Sequence, residues 1–143
     1  FYNEKYEVFV DLDCTNPLRD VSDISNIIKQ LLRSKERGVD AVFSVSEARK
    51  NPYFNMLEED ENGALRMSKS SGPTIIRRQD APKVFDHVAS IYALLPSKIY
   101  EQEHLLSGHA EGYDIGLEKS LDVDSEFDFE LVEYLMKKKK GLL

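Results

Sequence analysis

The chain has a single cysteine, Cys14, and no tryptophan among its 143 residues. One thiol gives no disulfide framework, so the fold rests on its own core and a reducing, cytoplasmic setting is expected. No apolar run approaches the roughly 20 residues that a membrane-crossing helix needs, and nothing resembling a signal peptide precedes the first strand-like segment. A membrane is therefore not an expected partner. Positive charge is also in deficit: 19 Lys and Arg stand against 26 Asp and Glu, for a formal net charge of -7. That balance argues against a nucleic-acid backbone as partner. The histidines His87, His104 and His109 show no ligand spacing with one another, which leaves them surface or packing residues. The glycines are isolated, so no glycine-rich phosphate loop is present, and there is no internal repeat. The first residue is Phe1, already close to a strand, as expected of a fragment.

What is present suits one α/β core. Hydrophobic residues make up 41% of the chain, enough for a single core at this length. Residues 7–13 form a dense apolar run ending in carboxylates, as buried strands of α/β sheets do. Asp20 and Asp23 are spaced to cap a helix reciprocally. Ile24, Ile27, Ile28, Leu31 and Leu32 then share one helical face, and Gly38 closes the helix. Residues 40–45 read as a second strand, which predicts a right-handed βαβ unit with the two strands parallel. The middle differs: 53–59 and 64–68 flank Asn62-Gly63 as a β-hairpin, followed by a polar loop over 69–73. With little core of its own, that hairpin is expected to pack on a second subunit. A third core strand is predicted over 88–95, and Pro96-Ser97 is expected to start a short helix near Ile99 to Glu103. A final amphipathic helix carries Phe127, Leu131, Val132, Tyr134 and Leu135. Its Lys137 to Lys140 run reads as a dipole-stabilised C-terminus, with a phosphate-binding tail as the other reading.

The most informative segment is Ser120-Leu121-Asp122-Val123-Asp124-Ser125-Glu126-Phe127-Asp128-Phe129. Residues i and i+2 of an extended backbone face the same side. Asp122 and Asp124, expected at a strand end, can thus converge on one cation, with Ser125 and Asp128 as the capping box of the helix that follows. Such a pair suits Mg2+, with Mn2+ as the alternative, because the ion takes a few protein oxygens and leaves room for phosphate. The plainer reading is two solvated loop aspartates. Asp11 and Asp13 end the first strand, and ligands of open α/β sheets bind at that rim. Arg19, Arg77 and Arg78 add donors for carboxylate or phosphate. Cys14 sits among acidic neighbours that raise a thiol pKa, which speaks against a nucleophile.

Five blocks occur in an order that resembles the acylneuraminate cytidylyltransferases. They are Asp13-Cys14-Thr15-Asn16-Pro17-Leu18-Arg19, Val45-Ser46-Glu47-Ala48 with Asn51-Pro52-Tyr53-Phe54, Arg78-Gln79-Asp80-Ala81-Pro82, Ala89-Ser90-Ile91-Tyr92, and 122–128. The resemblance covers nearly the whole chain. It implies an α/β, Rossmann-like nucleotide-diphospho-sugar transferase fold, with helices on both faces of the sheet and residues 51–82 as an inserted hairpin or dimerisation arm on a single partial domain, 1–143. It implies transfer of CMP from CTP to a nine-carbon 2-keto sugar acid (sialic, legionaminic or pseudaminic), with release of pyrophosphate, by a homodimer.

Residue by residue, Asp122 and Asp124 match the metal-holding pair, and Arg78 an arginine that reaches the sugar site of a neighbouring subunit. Tyr92 matches a tyrosine near the sugar, and Thr15 and Asn16 fall in the substrate-facing loop. Asp13 departs from the glutamine usual in sialic acid enzymes and looks more like the legionaminic or pseudaminic branches; whether it meets metal or sugar stays open. Asp86 stands where an arginine is usual. The resemblance also implies a CTP-binding, glycine-rich front segment that this chain lacks, so the chain is expected to be the C-terminal two-thirds of an enzyme and inactive alone. The competing expectation is a non-catalytic, dimerising module that binds an acidic sugar; a metal-dependent phosphatase fits the carboxylates but leaves Arg78 and the hairpin unexplained.

Overall fold

The computed structural model describes residues 5–70, 72, 75–101, 104 and 106–142. The apolar run near the start contracts to a four-residue strand, β1 (Phe9–Leu12). Helix α1 (Val21–Ser34) follows, then one 3-10 turn, Lys35–Arg37, and strand β2 (Ala41–Glu47). Short strands β3 (Leu57–Glu59) and β4 (Leu65–Met67) make a hairpin. Then come β5 (Phe85–Leu94), α2 (Pro96–Glu101), β6 (Ala110–Asp114) and α3 (Glu126–Lys139). The last two residues of the helix expected over 99–103, and parts of the 69–73 loop, lie outside the described residues. Among the described residues no helix is long and apolar enough to cross a membrane.

The chain divides into two compact units, Phe1–Ser46 with His87–Leu143, and Glu47–Asp86. The first is built on a mixed four-stranded sheet of order β1-β5-β2-β6. Strand β1 runs antiparallel to β5, Phe9 opposite Leu94, and β6 runs parallel to β2, Ala41 opposite Ala110. Leu95 N–H donates to Asp40 O and Ala48 N–H to Val84 O, so β5 and β2 run in opposite directions. Between these contacts β2 advances eight residues and β5 eleven, the mark of a bulge. Ser44 sits at the slip: its buried hydroxyl accepts the Ile91 N–H at 2.8 Å and lies 2.9 Å from Val88 O.

Three corrections follow. Strands β1 and β2 do run the same way, as the βαβ reading requires, but β5 lies between them. Strand β5 is the better central strand because Val88, Ser90, Ile91 and Ala93 are all buried. Strand β1 is no buried strand: it forms the sheet edge, with Phe9 and Leu12 over 40% exposed. The third correction concerns the acidic pair, which ends no strand; Asp122 and Asp124 lie in the irregular connection between a 3-10 turn, Leu117–Lys119, and α3.

Local chemistry accounts for the helix ends. The Asp20 N–H donates to Asp23 Oδ2 at 2.7 Å, opening α1 as expected. Gly38, at φ +83°, stops it after the 3-10 turn, in a region that costs glycine little. Ile27 and Leu31 of α1 are fully buried against Val39, Val42, Val88, Ile91, Ala93 and Ile115. Ser125 Oγ accepts the Asp128 N–H at 3.3 Å and caps α3. The apolar face expected of α3 is only partly used: Val132 is buried, but Phe127 is 72% and Tyr134 53% exposed.

In the second unit β3 and β4 pair antiparallel, Leu57 opposite Met67. Asp60 Oδ1 accepts the N–H groups of Asn62 and Ala64, both at 3.0 Å, and Gly63 takes φ +78°. The hairpin is therefore set by its turn, since Leu57, Leu65 and Met67 are all exposed.

Candidate functional site

The loop after β1 is tied down from several sides. Asp13 N–H donates to Ser90 O at 3.1 Å. Asp13 Oδ1 accepts from the Thr15 N–H at 2.9 Å and the Thr15 hydroxyl at 2.8 Å. Those two bonds, with Arg19 nearby, hold the Asp13 carboxyl below its ordinary range. Arg19 spends its guanidinium on the loop's backbone: Nη1 donates to Asp13 O at 2.6 Å and also reaches Asn16 O and Ser90 O.

Asn16 joins this loop to the acidic segment 106 residues away. Its side chain is fully buried, and Nδ2 donates to Leu121 O and Asp122 Oδ1, each at 3.1 Å. The Val123 N–H donates to Thr15 O at 2.9 Å, adding a backbone tie. Asn16 Oδ1 is buried with no hydrogen-bond partner among the described residues, and so is Ser90 Oγ. Bare buried acceptors are uncommon, and a water or ligand donor is the usual partner.

Tyr92 faces the same acidic surroundings. It is the cross-strand partner of Asp11. Burial and then the charges of Asp13, Asp11 and Asp122 raise its pKa, so the phenol stays protonated and able to donate. On its other side the His87 ring meets Tyr92 edge-on at 5.5 Å and Phe43 at 4.9 Å.

The structure thus brings together Asp13, Thr15, Asn16, Arg19, Tyr92 and Asp122. Asp124 stands exposed two residues beyond Asp122. Arg78 belongs to the second unit, where Nη2 donates to Ala48 O at 3.0 Å. There it borders a cavity of about 430 Å³ with Glu47, Asn51, Gln79 and Lys83. Arg77, the neighbouring candidate, is paired with Asp80 at 2.8 Å. Among the described residues no group of three or more His, Cys, Asp or Glu is placed to hold a metal. Two carboxylates with water and phosphate oxygens still fit the hard, oxygen-seeking chemistry of Mg2+.

Two residues of this constellation escaped the sequence reading in their actual roles. Asp11 reaches Tyr92 through strand register, which no local spacing shows. Asn16, expected to face substrate, acts first as a clip on Asp122.

No family model matches the chain. It is 31% identical over 139 residues to the post-translational flagellin modification protein B of Campylobacter coli. That match covers 97% of this chain and 57% of the relative. It is also 34% identical over 89 residues to the CMP-N,N'-diacetyllegionaminic acid synthase of Campylobacter jejuni. There the match covers 62% of this chain and 37% of the relative. The chain is similar to both. It spans about half the length, or less, of these curated relatives.

Proposed function

We propose that this chain carries the sugar-and-metal portion of an acylneuraminate-type cytidylyltransferase. Such an enzyme transfers CMP from CTP to the anomeric hydroxyl of a nine-carbon 2-keto sugar acid. The observation that supports this reading is Asn16 holding Asp122 against the 13–19 loop beside Tyr92, in a chain similar to a CMP-sugar synthase.

In the reaction the sugar hydroxyl oxygen attacks the α-phosphorus of CTP, the bond to the bridging oxygen breaks, and pyrophosphate leaves with that electron pair. The hydroxyl proton passes to a carboxylate of the site. Asp122 and Asp124 would hold Mg2+ or Mn2+, which when bound supplies charge neutralisation for phosphate oxygens. Asn16 fixes the orientation of Asp122, and Arg19 fixes the loop through its carbonyls. Tyr92 donates from its protonated phenol to a substrate oxygen, and Thr15 and Asp13 bound the sugar. Arg78 is assigned to the sugar carboxylate, which a guanidinium meets with two parallel bonds, and a second copy of the chain is the assigned partner.

The test is Mg2+-dependent pyrophosphate release from CTP by a protein that joins this chain to a CTP-binding segment, over a panel of neuraminic, legionaminic and pseudaminic acids, beside direct sugar binding. Release on one of them, lowered about a thousandfold by Asp122→Ala or Asp124→Ala, is the expected result. Activity of Asp124→Ala within about tenfold of wild type would sink the metal assignment. Sugar binding without release by any protein that contains this chain would favour the non-catalytic module.

A further inference from the structure

A groove of about 630 Å³ runs between the 13–19 loop, at Cys14, Thr15 and Pro17, and α3. That is the volume of a small-molecule site, which commonly runs to about 300–1,000 Å³. Its floor is apolar: Val123, Phe129, Val132 and Met136 line it, and Pro17 closes one wall. Lys137 and Lys140 stand on its rim. Lys137 is matched by Glu133 at 3.0 Å. Lys140 makes no ion pair among those described, so the rim keeps one uncompensated cation on a chain of net charge -7.

We propose that this groove binds a small amphiphilic anion, with its apolar body over Val123, Phe129, Val132 and Met136 and its anionic group at Lys140. The complementarity is specific in kind: an apolar trough for the body, and at one end the Lys140 ammonium, without an ion pair among the described residues, for a carboxylate. Thr15, assigned above to the sugar, also lines this groove, so the two sites adjoin; the apolar floor itself would leave a sugar acid's hydroxyls without partners. The loop that forms one wall also carries Asp13 and Asn16, so an occupant would brace that loop. That regulatory consequence rests on the function proposed above, whereas the binding itself does not.

Cys14 lines the groove, is exposed, and is the chain's only cysteine, so thiol chemistry reports on one place. The experiment measures alkylation of the whole chain by neutral iodoacetamide, with and without dodecanoate held below its micelle concentration. Dodecanoate at about ten times its dissociation constant should slow alkylation about tenfold, by mass action. Decanol, apolar but uncharged, should protect far less. Lys140→Glu, an exposed change at the end of α3, should abolish protection while leaving the circular dichroism spectrum intact.

Three outcomes would overturn the proposal: an alkylation rate indifferent to dodecanoate, protection that survives in Lys140→Glu, or protection that tracks self-association in sedimentation. The last would give the groove to a second copy. None of these depends on pyrophosphate release, so failure here is separable from failure of the cytidylyltransferase reading.

Discussion

At the scale of single residues, Asn16 bears most of the site's geometry. It is fully buried, and its amide nitrogen is shared between Leu121 O and Asp122 Oδ1. Asn16→Ala removes both bonds and leaves a half-buried carbonyl and carboxylate unmatched. We expect a loss of about 1–3 kcal/mol in chemical denaturation. Asn16→Asp should be worse, because it sets a second carboxylate against Asp122 and forces one of them to take a proton. An Asn16→Asp protein as stable as wild type at neutral pH would show that the clip does not form in solution. The residue types of the site were legible from the sequence, since Asp13, Asn16, Arg19, Tyr92 and Asp122 were all candidates. Their division of labour was not. Arg19 looked like a ligand donor because a guanidinium suits anions, yet its nearest acceptors are three backbone carbonyls. Only the folded loop creates those acceptors.

At the scale of elements, close packing of β6 on β2 gives a sharp expectation. A Cβ at Gly112 would lie 2.8 Å from Val45 Cγ2. Its φ is not in the left-handed region, so the cost is one of space and not of conformation. Gly112→Ala should destabilise by about 1–3 kcal/mol, and trimming Val45 to Ala in the same chain should recover part of that loss. Equal stability of Gly112→Ala and wild type in urea would contradict this packing. Strand β6 is also the element that pattern reading missed: Ala110-Glu111-Gly112-Tyr113-Asp114 has no β-branched residue and a central glycine, so intrinsic preference argues against a strand. Pairing with the buried β2 overrides that preference. By contrast α1, its Asp20 and Asp23 cap, the Gly38 stop and the hairpin turn at Asn62-Gly63 were readable, because each depends on bonds within a few residues. The bulge at Ser44 was not, since its partners on β5 lie more than 40 residues away.

At the scale of the whole molecule, ion pairs between distant segments set the pH response. Asp20 is held below the usual carboxylate range first by Lys139 and then by Lys119. Glu111 is lowered by Gln30, Ser34 and Arg37, which join α1 and its following turn to β6. A folded pKa below the unfolded one means that the unfolded chain binds the proton more readily, so stability is present above the unfolded value and lost as pH falls through the folded one. Urea midpoints should therefore drop on acidification below the ordinary carboxyl values of 3.8 for Asp20 and 4.5 for Glu111. Glu111→Gln should flatten that acid limb. Lys119 is raised above 10.5, chiefly by its bond to Asp23, so its contribution holds below that pH and fades as pH climbs through the folded value. A midpoint that does not change between neutral pH and pH 3 would count against both carboxylate clusters. By itself the sequence determined the helices and the hairpin turn, and it supplied the candidate residues of the site, because periodicity, caps and side-chain chemistry act over short distances. Only the tertiary structure decided that β5 separates β1 from β2, that Asn16 clasps Asp122, and that the 13–19 loop and α3 share a groove. Strand order and long-range hydrogen bonds depend on which surfaces find each other when the chain closes, and no local pattern encodes that choice.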